Sequence, residues 1–297
     1  MENVVSVNSI SHRFGDFTAV NQLSFEVHSQ EIFGLLGPNG AGKTTTILLM
    51  IGLLGLDEGE IQVLGLDPQQ QARQVHQCIG YVPQETNVYL DLSAVDNLWH
   101  HAALYCEDLS IVEDKIEEIL KLMSLWERRN DALRTYSGGM KRRLALARTL
   151  LHDPEVIFFD EPTLGVDVQG KHVIWEHIQK QREDGKSFII STNDMMEADR
   201  LCDRLVIIDS GVAIALDSPE NLKAGLGQDI VTLQTSVAIE EPKKIFQGID
   251  IRAVMHPQPG VVRFEVRDAD TQVGEIINRV KDDLSLIHIS EPTRLQV

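Results

Sequence analysis

The sequence is short of positive charge: 27 Lys and Arg against 45 Asp and Glu leave a formal net charge of -18. Such a chain lacks the basic footprint needed to wrap a nucleic-acid backbone, so nucleic acid is not an expected partner. A small polyanion stays open, because backbone amides and one lysine can outweigh the global field locally. Cysteine is scarce too. Cys78, Cys106 and Cys202 are odd in number, scattered and without metal-ligand spacing. That fits a reducing compartment better than a disulfide framework. Long hydrophobic runs are missing: the longest, residues 47–56, stops at Asp57, whereas a membrane span takes about 20 apolar residues. The opening MENVVSVNSI has no basic stretch before an apolar one, so no secretory signal is expected. Neither repeats nor low-complexity segments occur. The 297 residues suit one large domain, or one large and one small.

What is present alternates. Apolar, β-prone runs at residues 32–36, 61–64, 79–82, 156–159, 188–191 and 205–208 predict buried strands. Helical patterns at 44–51, 139–151 and 169–183 separate several of them. The order implies an α/β fold with a mainly parallel sheet covered by helices. Between Gln84 and Ser137 the strands stop, and VDNLWHHAALY and IVEDKIEEILKLM predict a helical insert, about residues 87–150. After Ser218 the pattern changes. A short helix is followed by a strand at 230–235, a helix at 242–247, strands at 251–255 and 261–266, and a helix at 272–282. This βαββα order is a split βαβ unit lacking its last strand. The expected division is 1–225 for the main domain, 226–283 for a small α+β domain and 284–297 for a tail.

That tail is unusual. LSLIHISEPTR, residues 284–294, matches in all eleven positions one reading frame of a transposase adapter used in library preparation. We expect it to be adapter-derived. The alternative is that it supplies the missing sixth element as a strand.

GPNGAGKT runs from Gly37 through Pro38, Asn39, Gly40, Ala41, Gly42 and Lys43 to Thr44, with Thr45 next. It matches G-x-x-x-x-G-K-[ST] in full, after an apolar strand and before an apolar helix. Gly37, Gly40 and Gly42 let the backbone curl so that N–H groups converge on phosphate oxygens. The helix N-terminus adds partial positive charge. Lys43 puts a cation on the β- and γ-phosphates, and the Thr44 hydroxyl suits a Mg²⁺ shell. The bland alternative, a glycine-rich turn with an incidental lysine, does not explain why strand, loop and helix all agree. VIFFDEP then ends a buried strand in two acids. Ligands of parallel sheets bind beyond such ends, so Asp160 is expected at the metal and Glu161 at the attacking water. TYSGGMKRRLALARTLL opens a second helix with Ser137, Gly138 and Gly139. One nucleotide does not need two anion-binding helix ends from one subunit. The second end therefore predicts a head-to-tail pair enclosing two nucleotides. An ordinary serine cap with glycines is the local alternative.

With these motifs in hand, residues 3 to 225 resemble the nucleotide-binding domain of ABC transporters. The resemblance implies ATP and Mg²⁺ as cofactors. It implies that Phe14 stacks on adenine and that Gln84, in YVPQE, touches Mg²⁺ and relays to a membrane partner. It also implies that Ser137, Gly138 and Gly139 are the signature, and that Asp167, in LGVD, lies at the dimer interface. YSGGMKRRL is similar to the export ATPases that serve ABC-2 type permeases. The implied partners are a second nucleotide-binding subunit and an integral-membrane ABC-2 type permease. The implied place is the cytoplasmic face of the bacterial inner membrane. Tyr136, Met140 and Gln30 depart from the family pattern, and Asn193 stands where a histidine is usual. The alternatives are a soluble ABC machine of repair or translation, or a low-turnover nucleotide-gated switch. The first is disfavoured because residues 44–136 leave room for a helical insert but not for a long coiled coil, and the chain carries one nucleotide domain.

Overall fold

The computed structural model describes residues 2–106, 109–226, 229–235, 251–258, 261–266 and 286–294. It separates into two compact units, Met1–Pro219 and Glu220–Val297.

The first unit begins with strands β1 (Asn3–Phe14) and β2 (Phe17–His28), which form an antiparallel hairpin. From Leu23 to Val27 every second side chain is buried, the mark of a sheet with one solvated face. Then come β3 (Ile32–Leu36), helix α1 (Lys43–Met50) and β4 (Glu58–Val63). Next are α2 (Ala72–Cys78) and β5 (Ile79–Val82). Three helices follow, α3 (Ala94–Tyr105), α4 (Val112–Leu122) and α5 (Gly138–Leu150). The unit continues through β6 (Val156–Asp160), α6 (Val168–Glu183), β7 (Ser187–Thr192), α7 (Met195–Leu201), β8 (Arg204–Asp209) and β9 (Val212–Asp217).

The main sheet has the order β5-β6-β7-β3-β8-β9. It is parallel except for β9. Every residue of β3, β6 and β7 is buried, as strands covered on both faces must be. The sheet holds the sequence-predicted α/β class. One strand is elsewhere. The run at 61–64, expected among the buried strands, belongs to β4, which pairs antiparallel with β1 in a separate sheet of order β2-β1-β4. The reason is visible in its burial: only Ile61 and Val63 face the core, so it is a one-faced strand.

The insert is helical as expected. α3 starts in a capping box, with the Asp96 amide donating to Ser93 Oγ (3.1 Å) and the Ser93 amide donating to Asp96 Oδ2 (3.4 Å). α4 buries Val112, Ile116, Ile119 and Leu120, one stripe at helical spacing, and packs on α3 and α5.

The second unit takes over within α8 (Pro219–Leu226). Strands β10 (Asp229–Thr235), β11 (Ile251–Gln258), β12 (Val261–Val266) and β13 (Leu286–Arg294) form an antiparallel sheet of order β11-β12-β10-β13. The helices expected at 242–247 and 272–282 lie outside the described residues. β13 falls in the adapter-like tail and pairs with β10. LIHI is β-prone whatever its origin, so the pairing does not bear on the adapter match.

Candidate active site

Three adjacent strands, β6, β7 and β3, carry the site at their carboxyl ends. Asp160 lies beside Ser191, and Leu36 beside Thr192. Strands about 4.8 Å apart therefore bring residues 37–44, 160–161 and 191–193 together.

The phosphate loop follows β3. Gly42 sits at φ 102°, and a Cβ there would lie 2.4 Å from the Ala19 carbonyl of β2. A Cβ on Gly37 would lie 2.2 Å from the Ile208 carbonyl. Side chains are barred at both positions, which is what a backbone cradle requires. Among the described residues no protein acceptor takes the amides of Asn39, Gly40 and Gly42. Those groups suit an anion at the start of α1. Lys43 is buried and donates to the carbonyls of Gly37 (2.8 Å) and Pro38 (3.0 Å). Its Nζ is also 3.9 Å from Glu161 Oε1.

The two acids are held differently. Asp160 is 1% exposed and accepts hydroxyl hydrogen bonds on both oxygens, from Thr44 (2.8 Å) and from Ser191. Thr44 and Asp160 thus bring hard oxygen ligands to one point, a donor set that fits Mg²⁺. Glu161 leaves the strand at φ 49°, a conformation costly for a non-glycine residue. Its amide donates to both the carbonyl and the hydroxyl of Ser191, each at 3.0 Å. Burial pushes the Glu161 carboxyl above its ordinary pKa, with Lys43 opposing the rise. Burial pushes the Lys43 ammonium below its usual range, with Glu161 and then Asp160 opposing the fall. A carboxylate raised in this way is a stronger base at neutral pH.

The remaining expected residues are distributed around this centre. Asn193 is exposed and its Nδ2 donates to Asn39 Oδ1 of the phosphate loop (3.1 Å). Asn193 and Glu161 line one cavity of about 210 Å³ with Lys171, Asp194 and Glu197. Gln84 is exposed just beyond β5, and its carbonyl accepts from Arg142 (3.0 Å). Phe14 ends β1 half-exposed, its ring edge-on to His12 at 4.6 Å. The hairpin tip is near the loop, because Ala19 abuts Gly42.

Ser137 is not part of that centre. It caps α5, taking the Met140 amide (3.3 Å). A Cβ on Gly138 would meet the Gly165 carbonyl at 3.5 Å, and one on Gly139 the Val166 side chain at 3.2 Å. The phosphate loop instead packs on Ala19, Ile208 and Gly211. Asp167, exposed, caps α6 by accepting from the Gly170 amide (2.7 Å).

Two residues of the site were not foreseen. Ser191, which holds both acids, sits in the apolar string SFIIST and reads as strand interior. Its hydroxyl at a buried strand end, one strand from DE, was the available signal. Arg142 lies in KRR, which reads as a solvated face.

A glycine cradle, a cation and two strand-end acids on a parallel sheet define a P-loop nucleotide hydrolase. A family model described as ABC transporter matches residues 20–164. The chain is 38% identical to Nod factor export ATP-binding protein I of Cupriavidus pinatubonensis, over 77% of this chain and 70% of that protein. It is also 38% identical to Linearmycin resistance ATP-binding protein LnrL of Bacillus subtilis, over 80% of this chain and 76% of the relative. A solved ATP-binding subunit of an ABC transporter superposes with a TM-score of 0.68 at 26% identity, covering 75% of this chain and 93% of that one. The protein therefore belongs to the ABC transporter family, and it is an ATPase of that family. Among the described residues no helix is long and apolar enough to cross a membrane.

Proposed function

We propose that the chain is the motor of an exporter: two copies close head to tail on two ATP and drive a separate ABC-2 type permease at the cytoplasmic face of the bacterial inner membrane. The observation that carries the hydrolytic part is the convergence of Lys43, Thr44, Asp160 and Glu161 at neighbouring strand ends. Lys43 and the loop amides bind and orient the phosphates. Glu161, aimed by the two hydrogen bonds of its amide to Ser191, orients the attacking water and takes its proton. Thr44 and Asp160, with Gln84, would hold Mg²⁺, which when bound neutralises charge on the phosphates. Phe14, half-exposed at the end of β1, would stack on the adenine. Ser137, Gly138 and Gly139 face the partner's nucleotide, and Asp167 sits on the crossing loop.

Export as the task is supported by the names of two relatives, one a Nod factor exporter component and one a linearmycin resistance component. A docking surface for the permease is supported by a cavity of about 450 Å³ beside the Gln84 loop. Pro83, Tyr89, His101 and Arg148 line it, with Leu104 69% exposed at its edge.

The test is Glu161→Gln. It should bind Mg-ATP normally and hydrolyse it about 10²–10⁴-fold more slowly, as loss of a general base does. The stalled protein should elute as a dimer with ATP on size exclusion. Wild-type turnover would overturn the base assignment, and a monomer at saturating ATP, with the permease present, would overturn the dimer.

A further inference from the structure

Arg142, in the second turn of α5, is 2% exposed, and among the described residues no carboxylate is hydrogen-bonded to it. A guanidinium has five N–H donors in a fixed planar fork. Here all five find backbone carbonyls. Nε donates to Pro162 (3.1 Å), Nη1 to Pro83 and Gln84 (3.0 Å), and Nη2 to Asp160 and Glu161 (2.8 Å). The carbonyls belong to two separate segments, the loop after β5 and the end of β6 with the turn that follows it. The fork also lies over the Phe159 ring at 4.8 Å, which fixes its plane. Burial lowers its pKa to about 10, so the group keeps its charge at neutral pH.

A structural charge needs partners, but it does not need these. Folding alone would be served by one nearby carboxylate. What this arrangement does is set the distance between Gln84 and the Asp160–Glu161 pair, two groups on different loops that must act on one nucleotide. Resting on the ATPase reading above, we propose that Arg142 is a positioning residue for hydrolysis: it locks the Gln84 loop in register with Asp160 and Glu161. It touches neither nucleotide nor water itself. Lysine cannot replace it, because three donors on a flexible stem cannot span five carbonyls in a plane.

The experiment uses the full chain with Arg142→Lys and Arg142→Gln, the second removing the buried charge in case the first does not fold. Folding is checked by thermal melting, binding by titration with a fluorescent ATP analogue at fixed Mg²⁺, and turnover by steady-state assay. The expected result is analogue affinity within about threefold of wild type and a kcat lower by roughly 10- to 100-fold, the scale of a misplaced catalytic group. In a Gln84→Ala background the further loss from Arg142→Lys should shrink to less than about threefold, because the residue acts through the placement of Gln84. Wild-type kcat in either folded variant overturns the proposal. So does a loss of kcat that only tracks the folded fraction or the loss of analogue binding, or one that is fully additive with Gln84→Ala. Glu161→Gln run in parallel separates the readings. If it too keeps wild-type turnover, the ATPase site is wrong; if it is dead while the Arg142 variants are normal, only the positioning role is wrong.

Discussion

At the residue scale the informative position is Asn193. Its amide already donates to Asn39 on the phosphate loop, and it shares a cavity with Glu161. An asparagine can donate to a phosphate and accept from a water, but it cannot ionise. Turnover should therefore proceed without a near-neutral titration from this position. Asn193→His should raise kcat by about tenfold if one charge-assisted contact of about 1.4 kcal/mol is added. Asn193→Ala should lower it. Equal kcat for asparagine and alanine, measured with the permease present, would remove Asn193 from the site. The residues legible in the sequence, Lys43, Thr44, Asp160 and Glu161, share a property: each lies in a contiguous string whose order is itself the chemistry. Ser191 and Arg142 were not legible because their meaning comes from a neighbour 31 and 18 residues away, Asp160 in both cases. A serine in a buried strand and an arginine in KRR have ordinary explanations until the partners are seen.

At the element scale the parallel strands were readable because burial on both faces leaves unbroken apolar runs. The hairpin of β1 and β2 was not, since its burial alternates and shifts register at several points. β4 was read as a strand but assigned to the wrong sheet, because strand patterning does not name the pairing partner. In the insert, α3 carries a testable group. His101 stacks on Tyr105 at 4.4 Å, and its Nε2 is buried without a hydrogen-bond partner. Burial lowers its pKa to about 3, with Arg148, His152 and His100 adding repulsion. The folded state thus refuses a proton that the unfolded state takes near 6.5. Stability is full above about pH 6.5 and falls as pH drops toward 3, by at most about 1.4 kcal/mol per unit. His101→Phe keeps the stack and removes the titration. Its urea midpoint should fall less than that of wild type between pH 7.5 and 5.5. Parallel losses in both proteins would mean that other groups dominate.

At the scale of the whole molecule, one helix carries both the Ser137 end and the Arg142 fork. α5 presents Ser137 at its N-cap and Arg142 five residues further on, about 7.5 Å along the axis. Its first end packs on Gly165 and Val166, away from the surroundings of the chain's own phosphate loop, while Arg142 grips the acids of its own site. If the first end serves a second copy's nucleotide, a large cation there should block assembly and leave the subunit's own binding intact. Ser137→Arg also removes the cap, and replacing a serine cap costs about 1 kcal/mol, so melting must show that the fold survives. Placed in the Glu161→Gln chain, Ser137→Arg should abolish the ATP-dependent dimer on size exclusion. Affinity of the isolated subunit for a fluorescent ATP analogue should change by less than about twofold, because no atom of that subunit's phosphate cradle is altered. Turnover of Ser137→Arg alone should be lost, because hydrolysis needs the closed dimer that the substitution blocks. A sharp fall in analogue affinity of a folded monomer would mean that Ser137 serves its own nucleotide. The head-to-tail arrangement would then have to be given up, although the site formed by Lys43, Thr44, Asp160 and Glu161 would stand.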